Sequence, residues 1–136
     1  IVEVATTVTD AGAHALTLVN TMLGMQIDVQ TGRPTLGNGG GGLSGAAIHP
    51  IAVRAVHDVR IALPNSHIIG VGGISTGADA VEMMMAGANA VQVGTASFAD
   101  PAATWRIAQE AALIAQKRGA ASWEDILSLV HRHKYN

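Results

Sequence analysis

Residues 67–95, HIIGVGGISTGADAVEMMMAGANAVQVGT, carry the pattern that decides the fold. The apolar run at 67–71 predicts a buried strand, residues 77–86 predict a short helix, and the apolar run at 90–93 predicts a second strand. Two buried strands joined by a helix form a right-handed crossover, which connects parallel strands of one sheet. This stretch therefore predicts a parallel sheet with a helix packed against it.

The same alternation of strand and helix continues on both sides of this unit. The further predicted elements are a strand buried on both faces at 15–19 and helices over 1–11, 47–62, 101–118 and 123–130. This order predicts an α/β fold of about three β/α units. Three strands cannot close a barrel, but they fit the C-terminal part of a (β/α)8 barrel, which typically needs about 250 residues.

Three segments depart from this alternation. Residues 25–36 predict a hairpin-like excursion, because an alternating apolar and polar run is followed by the turn sequence Thr-Gly-Arg-Pro. Residues 37–42 (GNGGGG) are too rich in glycine for the interior of a helix or strand. Residues 131–136 form a polar tail.

The composition indicates a chain with few surface charges. Of the 136 residues, 49% are hydrophobic and only 13% are charged, about half the usual share of roughly 25%. We therefore expect part of the surface to be covered in an assembly. The net charge of −2 argues against a basic surface that binds nucleic acid. No apolar run approaches the roughly 20 residues of a membrane helix. The lack of cysteine excludes disulfides and thiolate metal sites within these residues.

Glycine-rich turns follow the predicted strands, at the edge where parallel α/β folds bind ligands. The residues at this edge are Asn20 and Thr21 after the first strand, Gly72 and Gly73 after the second, Gly94 and Thr95 after the third, and Ser44 and Gly45 before a helix. Glycine leaves the backbone N–H groups accessible, and helix N-termini favour anions. One glycine pair is explained by a tight turn alone, but several at one edge favour a phosphate-bearing ligand.

Four motifs resemble the C-terminal half of the dihydroorotate dehydrogenase family. They are NTMLGM at 20–25, GGLSGAAIHP at 41–50, IGVGGI at 69–74 and VQVGTA at 91–96, and the similarity covers roughly residues 1–115. The His-Pro and Val-Gly-Thr endings resemble the soluble class 1 enzymes. Residues 25–34 are most similar to the subclass that uses NAD through an iron–sulfur flavoprotein partner.

The resemblance implies a cytoplasmic, FMN-dependent flavoprotein, an oxidoreductase that oxidises dihydroorotate to orotate in pyrimidine biosynthesis. Residues 1–136 would be the C-terminal portion of one (β/α)8 TIM barrel domain whose N-terminal half is absent from this chain. The resemblance also implies a homodimer and a partner subunit that carries FAD and an iron–sulfur cluster for electron transfer. No membrane and no nucleic acid are expected as partners.

The resemblance also assigns roles to residues. It implies substrate binding by Asn20 and Thr21, and FMN binding by Val19, Ser44, Gly45, Gly72, Gly73, Gly94 and Thr95. The family's catalytic base, a cysteine or serine, would lie upstream of Ile1, so no catalytic residue is expected here. The segment alone should therefore be inactive. This chain has four glycines at 39–42 where the family commonly has Thr-Gly-Gly. The departure concerns only the rigidity of that loop.

Two other functions fit the same residues. A domain similar to that of dihydropyrimidine dehydrogenase would keep FMN and change the substrate, whereas a non-catalytic half-barrel would only bind a phosphorylated ligand. No metal site is expected, because no pair of histidines has the helical spacing of metal ligands together with a carboxylate partner. Asp79 and Glu82 fit the positive end of a helix dipole. Trp105 and Trp123 are either core residues or oligomer contacts.

Overall fold

The computed structural model describes residues 1–132. Of the predicted polar tail at 131–136, residues 133–136 lie outside the described residues, and residues 131 and 132 belong to a 3-10 turn. In chain order the helices and strands are α1 (Val2–Asp10), β1 (Ala15–Leu18), β2 (Met22–Gly24), β3 (Ile27–Asp28), β4 (Arg33–Pro34), β5 (Gly41–Leu43), α2 (His49–Ala62), β6 (His67–Val71), α3 (Gly77–Ala86), β7 (Ala90–Gln92), α4 (Ala96–Ala99) and α5 (Ala103–Lys117). Short 3-10 turns lie at Ala46–Ile48, Trp123–Asp125 and Leu129–Arg132.

A parallel sheet of three strands in the order β1-β6-β7 forms the centre of the fold. Leu16 pairs with Ile68, and Gly70 pairs with Val91. Each pair of neighbouring strands is connected through a helix, α2 between β1 and β6 and α3 between β6 and β7. This is the succession of β/α units in part of a (β/α)8 barrel, which confirms the predicted fold class.

The helices pack against one face of this sheet. Leu16 and Leu18 are buried on β1, whereas Ala15 and Thr17 on the opposite face are exposed. The prediction that β1 is buried on both faces is therefore wrong for the described residues, because helices cover only one face. The core below that face contains the fully buried side chains of Val56, Ile68, Met83 and Ile107.

Hydrogen bonds fix where α3 begins and what it packs against. Thr76 and Asp79 form a capping box at its start, and the Gly77 N–H donates to Glu110 Oε2 on α5 at 2.7 Å. A Cβ at position 77 would collide with the backbone of Glu110, so the two helices approach as closely as only glycine permits. These contacts hold α3 and α5 together on the covered face of the sheet.

The excursion between β1 and α2 contains two short antiparallel pairs. Strands β3 and β4 pair as the predicted hairpin, with Ile27 opposite Pro34. Strand β2 pairs with β5, which includes Gly41 and Gly42. The prediction that residues 37–42 lie outside any regular element is therefore wrong for Gly41 and Gly42, which belong to β5. Gly42 lies directly against the Thr21 side chain, a close approach that explains why a strand here contains glycine.

The predicted C-terminal helix over 123–130 is also wrong. The structure has two 3-10 turns there, because Ser128 adopts a positive φ of 56° and its N–H donates to Met84 O at 3.0 Å. Trp105 is 70% exposed and Trp123 is 40% exposed, so neither is a core residue among the described residues. Between residues 1 and 132, no helix combines the length and the apolar character needed to cross a membrane.

Candidate anion-binding site

A cavity of about 430 Å³ opens at the carboxyl ends of the three parallel strands. All nine residues that were predicted to bind substrate or cofactor line it: Val19, Asn20, Thr21, Ser44, Gly45, Gly72, Gly73, Gly94 and Thr95. Sequence reasoning missed Ile48, Ser75 and Gln92, which also line the cavity. They lie two or three positions from a glycine of these turns, and this short separation was the available signal.

Two contacts join the loops around this cavity. The Val19 N–H donates to Val71 O at 2.8 Å, which holds the end of β1 against the end of β6. The Thr95 hydroxyl donates to Ser44 Oγ at 2.8 Å, which joins the turn after β7 to the loop before α2. The loops from distant parts of the sequence therefore form one continuous wall.

Several residues that line this cavity have backbone donors without a partner. The N–H groups of Gly45, Gly73 and Gly94 have no hydrogen-bond acceptor among residues 1–132. No cavity-lining side chain in this part of the chain is charged. Free N–H groups in an uncharged wall suit an anion that accepts several hydrogen bonds, and a phosphate is such an anion.

Two glycines of the cavity, Gly73 and Gly94, differ in the structural constraint on a side chain at their position. At Gly73, φ is +67°, and a Cβ would lie 2.7 Å from Gly45 O and 2.8 Å from His49 N. Gly94 has no such constraint, because nothing lies within 4 Å of where its Cβ would be. Packing therefore explains Gly73, while Gly94 leaves a space beside the cavity that a bound group can use.

The two predicted substrate-binding residues lie at the exposed end of the cavity. Asn20 Oδ1 accepts a hydrogen bond from the Thr21 N–H at 2.8 Å. The Asn20 amide NH2 group has no acceptor among residues 1–132. Asn20 can therefore still donate to a ligand, but the substrate-binding roles of both residues remain predictions.

A carboxylate outside the cavity stabilises one of its loops. Burial alone would raise the pKa of Asp79, but hydrogen bonds from the Ser75 N–H and hydroxyl and from the Thr76 N–H hold it below its usual value. Asp79 is therefore a carboxylate at neutral pH. It fixes Ser75 where that residue lines the cavity.

The structure also brings together three side chains that the sequence separates. One nitrogen of His49 and one carboxylate oxygen each of Asp79 and Glu82 lie within 4.8 Å of one another. Sequence reasoning missed this cluster because 30 positions separate His49 from Asp79. Asp79 accepts hydrogen bonds from Ser75 and Thr76, and His49 bonds Gly72 O at 2.9 Å, so these two side chains stabilise the loops.

Comparison with known proteins identifies the family. The dihydroorotate dehydrogenase family model matches residues 1–114. The chain is 49% identical over 127 residues to the catalytic subunit of dihydroorotate dehydrogenase B (NAD(+)) from Geotalea uraniireducens, covering 93% of this chain and 41% of that protein. It is 47% identical over 126 residues to dihydroorotate dehydrogenase A (fumarate) from Limosilactobacillus reuteri, again covering 93% and 41%. The chain thus spans about two fifths of these curated relatives.

A solved structure supports the same assignment. The dihydroorotate dehydrogenase of Eimeria tenella in complex with ferulenol matches 96% of this chain and 35% of that chain, with a TM-score of 0.79 and 29% identity. The relatives named for NAD(+) and for fumarate are similarly identical to this chain. The predicted family is confirmed by sequence and fold together. The chain belongs to the dihydroorotate dehydrogenase family.

Proposed function

We propose that this chain supplies the FMN phosphate site and part of the orotate site of an enzyme that oxidises dihydroorotate to orotate in pyrimidine biosynthesis. The observation that carries this proposal is the convergence of three glycine loops on one cavity at the carboxyl ends of the sheet. The relatives are named dihydroorotate dehydrogenases, which supports the same substrate.

The residues of the cavity fit the phosphate end of FMN. The N–H groups of Gly45, Gly73 and Gly94 and the hydroxyl pair of Ser44 and Thr95 would hold the phosphate oxygens. Several neutral donors can bind a phosphate without a lysine, because each N–H carries a partial positive charge and no water competes once the anion is seated.

The remaining residues of the cavity would bind the rest of the flavin and the substrate. Val19 would contact the flavin through its backbone, and the Asn20 amide and the Thr21 hydroxyl would hydrogen-bond the orotate ring and its carboxylate. When bound, FMN supplies the hydride acceptor, and the protein supplies position and electrostatics. The general base is proposed to lie outside these 136 residues, so the segment alone should bind FMN without oxidising dihydroorotate.

The partners of the whole enzyme are proposals as well. Relatives named as catalytic subunits of the NAD(+) enzyme favour a second, electron-transferring subunit with FAD and an iron–sulfur cluster. The low charged fraction of 13% favours a homodimer, and we propose the cytoplasm as the compartment.

Titration with FMN, followed by flavin fluorescence, tests the proposed cofactor. We expect saturable quenching and a stronger affinity for FMN than for riboflavin, which lacks the phosphate. A chain that binds neither flavin would contradict the proposal and leave the half-barrel that binds another phosphorylated ligand.

Substrate binding is tested by adding orotate to the FMN complex and following the shift of the flavin spectrum. We expect Asn20→Ala to reduce the affinity for orotate by roughly tenfold, because one hydrogen bond is lost. Asn38→Ala, at an exposed position outside the cavity, is the matched control. An orotate response that is equal in both variants would reject the role of Asn20. A response to uracil but not to orotate would favour the dihydropyrimidine dehydrogenase-like alternative.

A further inference from the structure

His49 lies directly behind the glycine turn that follows β6, outside the lining of the cavity. The residue is 8% exposed, and its Nδ1 lies 2.9 Å from Gly72 O. A carbonyl oxygen only accepts hydrogen bonds, so Nδ1 must carry the hydrogen and donate it. On the other side of the ring, Nε2 lies 3.3 Å from Glu82 Oε2. Nε2 forms no hydrogen bond among the described residues, so the ring is held through Nδ1.

This hydrogen bond fixes the direction of the next backbone amide. The Gly72–Gly73 peptide bond is trans, and in a trans peptide the C=O and the N–H point in opposite directions. Because the Gly72 carbonyl points at His49, the Gly73 N–H points away from it. Both glycines line the cavity, and this N–H has no acceptor among residues 1–132. The donor is therefore free for a ligand.

The backbone preferences of glycine do not by themselves determine the orientation of this peptide. Gly72 has a φ of +140° and Gly73 a φ of +67°, conformations that glycine adopts as easily as their opposites. A peptide between two glycines can therefore rotate at low cost. The His49 hydrogen bond selects the orientation that presents the N–H.

We propose that His49 is a positioning residue of the anion-binding site. It holds the Gly72 carbonyl outside the cavity and thereby aims the Gly73 N–H at the phosphate of the ligand. This inference rests on the proposed FMN phosphate site and adds to it a side chain that does not touch the ligand.

The test compares variants of His49 that have similar shapes and differ in the donor. His49→Asn retains an N–H donor at the place of Nδ1, His49→Leu removes it, and His49→Gln moves it to the place of Nε2. The dissociation constants for FMN and for riboflavin are measured by fluorescence quenching on the full chain. His67→Asn, at an exposed position, is the control, and circular dichroism checks the fold.

We expect H49L and H49Q to lose about tenfold in FMN affinity, the effect of one hydrogen bond, with no change for riboflavin. H49N should keep the wild-type preference for FMN. A general structural effect would instead weaken both ligands equally, and that result would overturn the inference. So would an unchanged preference for FMN in H49L and H49Q. If H49L does not fold, H49Q and H49N still give the comparison.

The outcome for the wild type separates this inference from the proposed function. A wild-type chain with no preference for FMN over riboflavin would reject the phosphate site itself and, with it, the role of His49. A wild-type preference that survives loss of the Nδ1 donor rejects only the role of His49.

Discussion

At the scale of single residues, the two glycines of the cavity should respond differently to an added methyl group. Gly73→Ala should destabilise the fold by roughly 2 kcal/mol, because φ is +67° and the new Cβ would lie 2.7 Å from Gly45 O. Gly94→Ala should leave stability nearly unchanged, since nothing lies within 4 Å of the added Cβ. Its affinity for FMN should nevertheless fall, because the methyl group enters the space left for the ligand.

Urea unfolding and FMN titration of both variants check this prediction. A Gly94→Ala variant that binds FMN as tightly as the wild type would show that the open space beside the cavity is not used by the phosphate. A Gly73→Ala variant with wild-type stability would show that the turn can relax away from Gly45.

Two carboxylates should make the stability of the fold fall in acid. The pKa of Glu110 is lowered by the Gly77 N–H and by Arg106, and that of Asp79 is lowered by donors from Ser75 and Thr76 despite burial. Both folded-state pKa values lie below the ordinary ones. Their stabilising contribution is therefore complete above the ordinary values of 4.5 and 3.8, and it is lost as the pH falls through the lowered values.

Unfolding measured between pH 2 and pH 7 tests this pH dependence. The Asp79→Asn and Glu110→Gln double variant should be less stable at neutral pH and should show a shallower loss of stability in acid. Asp10→Asn, at the exposed end of α1, serves as the control. An unchanged slope in the double variant would contradict the assignment.

At the scale of elements, a buried arginine on α2 connects the helix to the turn between α3 and β7. Arg60 is 9% exposed, and its guanidinium donates to Gly87 O at 2.8 Å, to Asn89 Oδ1 at 2.7 Å and to Pro64 O at 2.7 Å. Gly87 must be glycine, because a Cβ there would lie 2.6 Å from Arg60 Cβ and φ is +127°. One side chain therefore bonds acceptors from two loops, and Asn89 Oδ1 also accepts from the Ile68 N–H at 2.9 Å.

Arg60→Met should cost roughly 3 kcal/mol of stability, because it removes both guanidinium donors of the buried Gly87 O and the part-buried bonds to Pro64 O and Asn89 Oδ1. Arg54→Met on the same helix is the matched control. The side chain of Arg54 is 75% exposed and pairs with Asp58 at 2.8 Å, a surface pair worth at most about 1 kcal/mol. Thermal or urea unfolding compares the two variants, and equal losses would refute the structural role of Arg60.

At the scale of the whole molecule, the sheet has one open face and the surface carries large exposed apolar side chains. Val4 is 66% exposed, Trp105 is 70% exposed and Phe98 is 91% exposed. Exposed apolar groups of this size favour association, because each gains free energy when it leaves water. The relatives are more than twice as long as this chain, and their additional residues are the proposed cover.

We expect this chain to form a complex with the part of the Geotalea uraniireducens relative that precedes its matched region. The 136-residue chain alone should not reduce FMN with dihydroorotate, whereas the complex should, because the base is proposed to lie in the added part. Anaerobic flavin spectra before and after dihydroorotate check this. Bleaching by the chain alone would show that a base is present within residues 1–136.

The sequence by itself determined the order of the three parallel strands and of helices α1, α2, α3 and α5, the glycine turns at the strand ends and the family. These features depend on residues a few positions apart, so hydrophobic periodicity and short motifs are sufficient to predict them. The nine predicted site residues meet at one cavity because the carboxyl ends of parallel strands lie at one edge of the sheet. The prediction of two buried faces for β1 was wrong, since burial depends on what covers the sheet.

Only the tertiary structure decided which side chains support the site and the fold. His49 contacts Gly72 across 23 positions, Arg60 contacts Gly87 across 27, and Thr95 contacts Ser44 across 51. No local pattern marks such pairs, because each contact requires two elements to pack at a particular distance and angle. For the same reason, the sequence did not predict the pairing of β2 with β5 or the broken C-terminal helix, whose Ser128 bonds to Met84.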